Sequence, residues 1–318
     1  MRSNRLALSV LGGSLVGGLA IWIAADRVIG AVVERLRPEI EAQVSKPLGH
    51  PVSIGGYRGL GPQGIHVGPI QVGSGRQDQS TAGIQRLIIG IDPLESLQRL
   101  RPVLTVRVRG AQLDLRRNPE GAYWVLGPIP KGGTPPRLDL QVRLIDPARI
   151  RVTPAGLTLT AAGWSGIRLD EHRADGALKL KLPDQATISV NGRGRWVKPE
   201  LQLTTRLERL RLNRFQGLLP ADLPVQLKGQ LGGDLRLGWR EGKASCSGGV
   251  SLVGVEVEGQ PLAHALRSKQ LGVSCRGDVL SIPTSQWGYG PYRARLGGRV
   301  RLNRSFDLKA SLQEPDQD

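Results

Sequence analysis

From residue 137 to the C-terminus the chain places an apolar side chain at every second position in run after run, and only an extended strand turns positions i and i+2 to the same side. Leu138, Leu140, Val142 and Leu144 alternate with Asp139, Gln141 and Arg143; Leu178, Leu180 and Leu182 with Lys179 and Lys181; Leu235, Leu237 and Trp239 with Arg236 and Gly238. Shorter runs recur at Leu157 and Leu159, Ile188 and Val190, Leu201 and Leu203, Val255 and Val257, and Phe306 to Leu312. With 43 glycines and 22 prolines to turn the chain and few aromatics, this is the pattern of many short strands in a mostly β fold. The spacing is irregular, so a propeller blade or other fixed-length repeat is not supported.

Upstream, the alternation begins at Pro51, with strands expected around Val52 and Ile54, Ile65 and Val67, and Ile70 and Val72. Ser74 to Ala82 is small and polar and predicts a mobile loop. Asp92-Pro93-Leu94-Glu95 has the residues of a helix start, an N-cap acceptor followed by a proline at the first position, which predicts a short helix near 93–100 before Pro102. A strand follows at Leu104, Val106 and Val108. Gly110-Ala111 is expected to break it, and Asn118-Pro119-Glu120-Gly121 to turn it into a hairpin through Tyr123 and Trp124. Residues 127–136 (GPIPKGGTPP) mark the best internal boundary, and short helices are expected near 213–219 and 261–269.

The N-terminus is of another kind. Leu6 to Ala25 runs twenty residues without a charge, long enough as a helix to span about 30 Å of hydrocarbon. Its nine Leu, Ile and Val residues favour insertion by about 3 to 5 kcal/mol. A cleaved signal peptide is the rival, but the run is long and Ile23-Ala24-Ala25 is a poor cleavage site. Gly13 and Gly17 form a GxxxG pair, which is either a helix-pairing face or a glycine-rich span without a partner. Arg2 and Arg5 nearly balance Arg27, Arg35 and Arg37, so charge hardly orients the span; a short basic tail inside and the long domain outside is the expected arrangement. Val28, Val32, Leu36, Ile40 and Val44 fall four apart on a helical stalk that Pro38 should kink or restart. The expected organisation is a cytoplasmic tail and transmembrane anchor over 1–27, a helical stalk over 28–50, an N-terminal β domain over 51–130, and a repetitive β-sheet over 137–318.

A net charge of +17 raises nucleic acid as a partner, but aromatics are few, no nucleic-acid module is present, and the arginines are scattered singly through strands. Solvated strand faces, or attraction to anionic lipid headgroups, account for the charge. No catalytic apparatus is visible, and neither a cofactor nor a metal is called for. His50, His66, His172 and His264 are far apart and expected at the surface, and Asp170, Glu171 and Asp175 read as a solvated loop. Gly163-Trp164-Ser165-Gly166 and Gly192-Arg193-Gly194 fall short of the nucleophile-elbow and dinucleotide spacings. Cys246 and Cys275 either bridge neighbouring strands in an oxidising compartment or remain unpaired small residues.

The anchor, Leu48-Gly49-His50-Pro51-Val52, Asp92-Pro93-Leu94, Pro102 to Val108, Gly110 to Leu115, Asn118, Gly121 and Trp124 together resemble the TamB branch of the AsmA-like superfamily, and Gly229 to Trp239 and Gly248 to Gly259 resemble its glycine-punctuated strands. The resemblance implies an inner-membrane, single-pass protein with its bulk in the periplasm. It also implies an elongated, curved, groove-forming β-sheet that contributes to phospholipid transfer between inner and outer membranes and to outer-membrane biogenesis. An outer-membrane barrel partner of the BamA or TamA type goes with it. Members are usually several times longer, so this chain is expected to be a truncated form, part of a split system or a short relative. Leu138, Leu140, Val142, Leu144, Leu178, Leu180, Leu235 and Leu237 are the candidate groove-lining residues, each otherwise an ordinary core residue. A scaffold for barrel assembly or protein translocation that docks through a sheet edge is the alternative, and a structural or cell-wall-associated anchor is a third reading.

Overall fold

The computed structural model describes residues 3–75, 78–127, 137–153, 155–197, 199–218, 224–260, 262–301 and 305–313, with backbone alone for 3–23, 305–310, 312 and 313. One 18-stranded sheet dominates. Helix α1 (Ser3–Leu48) leads into four short strands, β1 (Val52–Ile54), β2 (Tyr57–Gly61), β3 (Gly64–Val67) and β4 (Ile70–Val72). β1 pairs with β4 and β2 with β3. β3 and β4 then lie end to end along one edge of β5 (Thr81–Ile91), whose other edge takes β6 (Val103–Arg116). β6 in turn carries β7 (Asp139–Leu144) and β8 (Ala148–Thr153) end to end and parallel to itself, and both pair with β9 (Leu157–Arg168).

From β9 the chain becomes a plain antiparallel meander: β10 (Arg173–Lys181), β11 (Thr187–Arg195), β12 (Glu200–Arg211), β13 (Val225–Arg240), β14 (Lys243–Gly259), β15 (Leu266–Gly277), β16 (Val279–Tyr289), β17 (Tyr292–Arg301) and β18 (Ser305–Gln313). Tight turns permit it. Between β13 and β14, for instance, Glu241 and Gly242 both adopt positive φ (50° and 79°), the two-residue geometry that matches strand twist.

Register decides which side each residue faces, because directly paired residues in neighbouring strands share a face. Following the pairs, Ile65, Ile89, Val106, Val142 and Ser165 form one row, and Gly163, Leu178, Val190, Thr205 and Leu235 another on the same side. The apolar sets of β3, β5, β6, β7, β10, β11, β12 and β13 therefore merge into a single apolar face. The reverse face carries Arg107, Arg143, Lys179, Arg193, Arg206 and Arg236, so the sheet is apolar on one side and strongly basic on the other.

Helix α1 departs from the expected stalk in two ways. It does not restart at Pro38 but continues as one element, held to the sheet on both sides of that residue. Its polar row, not its apolar stripe, meets the protein. Asp26 accepts from the Leu60 amide and the Tyr57 hydroxyl, Glu34 from the Tyr57 amide, Glu41 from the Ile54 amide and Ser45 from the Val52 amide. These are donors of β1 and β2, the first edge of the sheet, which would otherwise be open to pairing with another chain. Burial, reinforced by Asp26, pushes the Tyr57 phenol up to about 12, so it remains a donor. The Val28 to Val44 stripe faces outward, with Val28 63% exposed. Among the described residues no helix is long and apolar enough to cross a membrane. The side chains of Leu6 to Ile23, with the Gly13–Gly17 pair, lie outside those described.

Other expectations are corrected locally. β6 does not break at Gly110. That residue turns to φ 62° and gives its amide to Asp146, where the parallel neighbour changes from β7 to β8. The Asn118 to Gly121 turn forms, but Tyr123 to Gly127 does not return as a strand; it crosses to the end of α1, with Gly127 donating to Pro47. The segment near 261–269 is a turn into β15, with Pro261 outside the described residues, and the one near 213–219 is a 3₁₀ helix (Leu212–Leu218). Helix α2 (Pro93–Arg99) forms as read, with the Asp92 side chain accepting from the Glu95 amide. The Glu95 carboxylate does not reach back to the Asp92 amide to complete a capping box, because it holds Arg99 and Gln141 instead. Asp170 and Glu171 are ion-paired with Arg101, which also reaches the buried Asp139. Residues 128–136 of the proposed boundary and the Phe306 to Leu312 side chains, apart from Ser311, lie outside the described residues.

If α1 seals this edge, replacing Glu41 by Ala should speed amide exchange at Ile54 by about tenfold, the loss of roughly 1.4 kcal/mol expected for an orphaned donor. Exchange in β11 and β12 should be unchanged. Equal acceleration in both regions, read by hydrogen-exchange mass spectrometry, would mean global destabilisation instead.

Candidate functional site: the apolar face

The apolar face is closed at one end of its strands and open at the other. At the closed end Val152, Leu157, Leu159, Leu182, Ala186 and Leu210 form a buried cluster, with Leu180, Ile188 and Leu207 packed against it. Phe215, on the 3₁₀ helix, and Tyr123 help to cover it. At the open end nothing among the described residues roofs the strands: Leu178, Leu201, Leu237 and Trp239 remain 39%, 41%, 42% and 43% exposed.

An apolar cavity of about 440 Å³ lies at this open end, walled by Val142, Leu144, Leu178, Val190 and Leu201. Its floor is glycine. Gly163, Gly176, Gly192 and Gly194 line it, and Gly176 pairs directly with Gly192. A Cβ on Gly163 would stand 2.2 Å from the Ala177 carbonyl oxygen, so glycine is needed for β9 and β10 to approach there. The same missing side chains hollow the surface between the aliphatic walls. A cavity of this size and lining accepts a stretch of hydrocarbon chain and offers little to a polar ligand.

The eight residues singled out from sequence are distributed unevenly over this face. Val142, Leu144 and Leu178 line the cavity. Leu140 borders a second cleft, on the α2 side of β7, and Leu180 belongs to the closed cluster. Leu235 and Leu237 lie further along the same face on β13, and Leu138 stands half-buried just before β7. Sequence missed Val190 and Leu201, whose alternating positions were visible but whose pairing to Leu178 and Trp239 was not.

It also missed a buried polar knot. His50 is 1% exposed and not at the surface as expected. Its Nδ1 lies 2.9 Å from the Gly73 carbonyl oxygen, its Nε2 3.2 Å from Asp78 Oδ2, and its ring 4.1 Å from that of Trp124. Asp78 accepts from the amides of Ser80 and Val125, Ser80 ties Arg116 to Tyr123, and Trp124 donates to the Leu48 carbonyl. The stretch read as a mobile loop thus clamps the end of α1 to β4, β6 and the crossing segment; Arg76 and Gln77 lie outside the described residues. Ser80, His50 and Asp78 are the residue types of a hydrolase triad, yet the Ser80 hydroxyl is spent on backbone groups and all three are inaccessible, which makes the knot structural. His66 and His172 are half-buried and His264 is exposed. No group of three His, Cys, Asp or Glu residues among those described is placed to hold a metal ion.

Cys246 and Cys275 are joined as a disulfide, Cα atoms 5.6 Å apart, across β14 and β15. The register sets Cys246 opposite Gly277 and Gly248 opposite Cys275, a diagonal pair on one face. No protein-family model, curated protein or solved structure matches this chain.

Burial alone would raise the Asp78 carboxyl, but the Val125 and Ser80 amides and nearby His50 outweigh it and hold the group below its ordinary 3.8. Its contribution to stability is therefore complete above pH 3.8 and lost as pH falls through the lower folded value. Asp78→Asn should cost about 1–3 kcal/mol at neutral pH. It should also flatten the acid limb of the unfolding curve, and an unchanged acid limb would remove Asp78 from this role.

Proposed function

We propose that this chain is a membrane-anchored envelope protein whose apolar β-face holds phospholipid acyl chains in passage between inner and outer membranes, in support of outer-membrane biogenesis. The unroofed cavity between Val142, Leu144, Leu178, Val190 and Leu201 is the observation that carries the reading. An exposed, continuous apolar surface costs free energy in water, and acyl chains relieve it without requiring specific hydrogen bonds. The uncharged run from Leu6 to Ala25 supports an inner-membrane anchor, the disulfide supports an oxidising compartment such as the periplasm, and the resemblance to the TamB branch supports both.

The alternative, a scaffold that docks a barrel protein by strand addition, draws on the contrast between the sheet's two ends. α1 occupies the donors of β1 and β2, whereas β18 pairs only with β17 among the described residues.

Photo-crosslinking separates the two. A photoreactive residue at Leu178 or Leu201 should capture phospholipid in cells, and the same probe at Lys179, on the reverse face, should not; adducts with protein alone at both faces would leave only the scaffold. The anchor is checked independently. The full chain should stay with membranes through alkaline extraction, and Val16→Arg, costing about 2.5–3.5 kcal/mol at the centre of a span, should release a large part of it.

A further inference from the structure

The reverse face of the sheet holds a further concavity, about 790 Å³ in volume, across β14 to β17. A cross-strand row runs through it from Glu256 to Arg267, Gly288 and Arg293, with Gln286 opposite Arg295 in the next row. The alternating neighbours Val255, Trp287 and Ala294 turn the other way into a buried apolar cluster, so the polar set faces solvent together. Gly288 supplies no side chain, and a Cβ built on it would meet nothing within 4 Å. The result is an open notch between Arg267 and Arg293, with Lys269 and Arg295 beside it.

Basic side chains outnumber acidic ones in the lining of this notch. Four cations line it against one carboxylate, Glu256, which already lies 3.4 Å from Arg267 and 3.1 Å from Lys228 outside the notch. Lys269 and Arg295 have no acceptor among the described residues. Like charges held together on rigid strands repel one another, and a bound anion converts that repulsion into charge-assisted hydrogen bonds. Gln286 adds an amide that can donate or accept. Arginine pairs match the geometry of phosphate oxygens, and the volume leaves room for an organic group attached to the phosphate.

We infer that this notch is a binding site for a phosphate-bearing anion, with Arg267, Arg293 and Arg295 as the principal ligands and Lys269 as a supporting charge. It lies on the opposite face from the apolar cavity, and its existence does not depend on that cavity carrying lipid. The phosphate has two possible sources, a phospholipid headgroup or free phosphate.

Isothermal titration of the full chain in nonionic detergent distinguishes them, with inorganic phosphate and glycerophosphoglycerol, the water-soluble headgroup of phosphatidylglycerol, as probes. Headgroup binding about tenfold or more tighter than phosphate assigns the site to lipid; equal binding assigns it to free phosphate. Gly288→Glu places a carboxylate in the open space, and it should abolish binding of either probe while raising the melting temperature by relieving repulsion. Lys269→Gln with Arg295→Gln should weaken binding about tenfold or more in a chain that still folds. Absence of binding to both probes, or binding unaffected by these variants, overturns the site. Lipid capture at Leu178 is a separate readout, so the failure of one proposal does not disguise the failure of the other.

Discussion

Strand register is the constraint on which the rest of this protein depends. A slip of one residue in any ladder between β5 and β13 would move that strand's aliphatic side chains to the basic face and its arginines to the apolar one. Because the apolar set of each strand is aligned with those of its neighbours, the sheet presents one apolar side and one cationic side, and both candidate binding regions follow from that separation. The cavity beside Leu178 is where the apolar side lacks a roof among the described residues. The notch beside Gly288 is where the cationic side gathers four basic side chains around one carboxylate.

A sheet of this length has two edges, and the chain treats the first unusually. An amphipathic helix ordinarily buries its apolar stripe. Here α1 instead offers Asp26, Glu34, Glu41 and Ser45 to the amide donors of β1 and β2, so that side chains take the place of a neighbouring strand. The same arrangement ties the helix to the sheet directly after the uncharged N-terminal run. The buried His50 and Asp78 knot fastens its other end, so α1 is held from Asp26 to Leu48 and not only at its junction with β1.

Much of this was legible in the residues. Period-two alternation located β5, β6, β9 to β14 and β18 but not β15, β16 or β17, and the Asp92-Pro93 start located α2, because both signals act over a few neighbouring positions. The errors share a cause. Gly110 looked like a strand break, but its positive φ lets β6 exchange one parallel neighbour for another. Ser74 to Ala82 looked mobile because its residues are polar and small, yet Asp78 and Ser80 are buried by partners that lie as far away in sequence as Val125 and Tyr123. Tyr123 and Trp124 looked like the return strand of a hairpin, and instead cross to the end of α1.

By itself the sequence determined the β-rich class, the strand periodicity, the short capped helix and the uncharged N-terminal run, since each is a property of residues a few positions apart. Only the tertiary structure decided that the strands join in one sheet, that β7 and β8 run parallel to β6, and that Val190 and Leu201 stand beside Leu178 while His50 is enclosed. It alone placed Arg267 and Arg293 on either side of Gly288. Those relations depend on pairing between distant segments, and alternating strands so alike in composition carry little local information about which neighbour each will take.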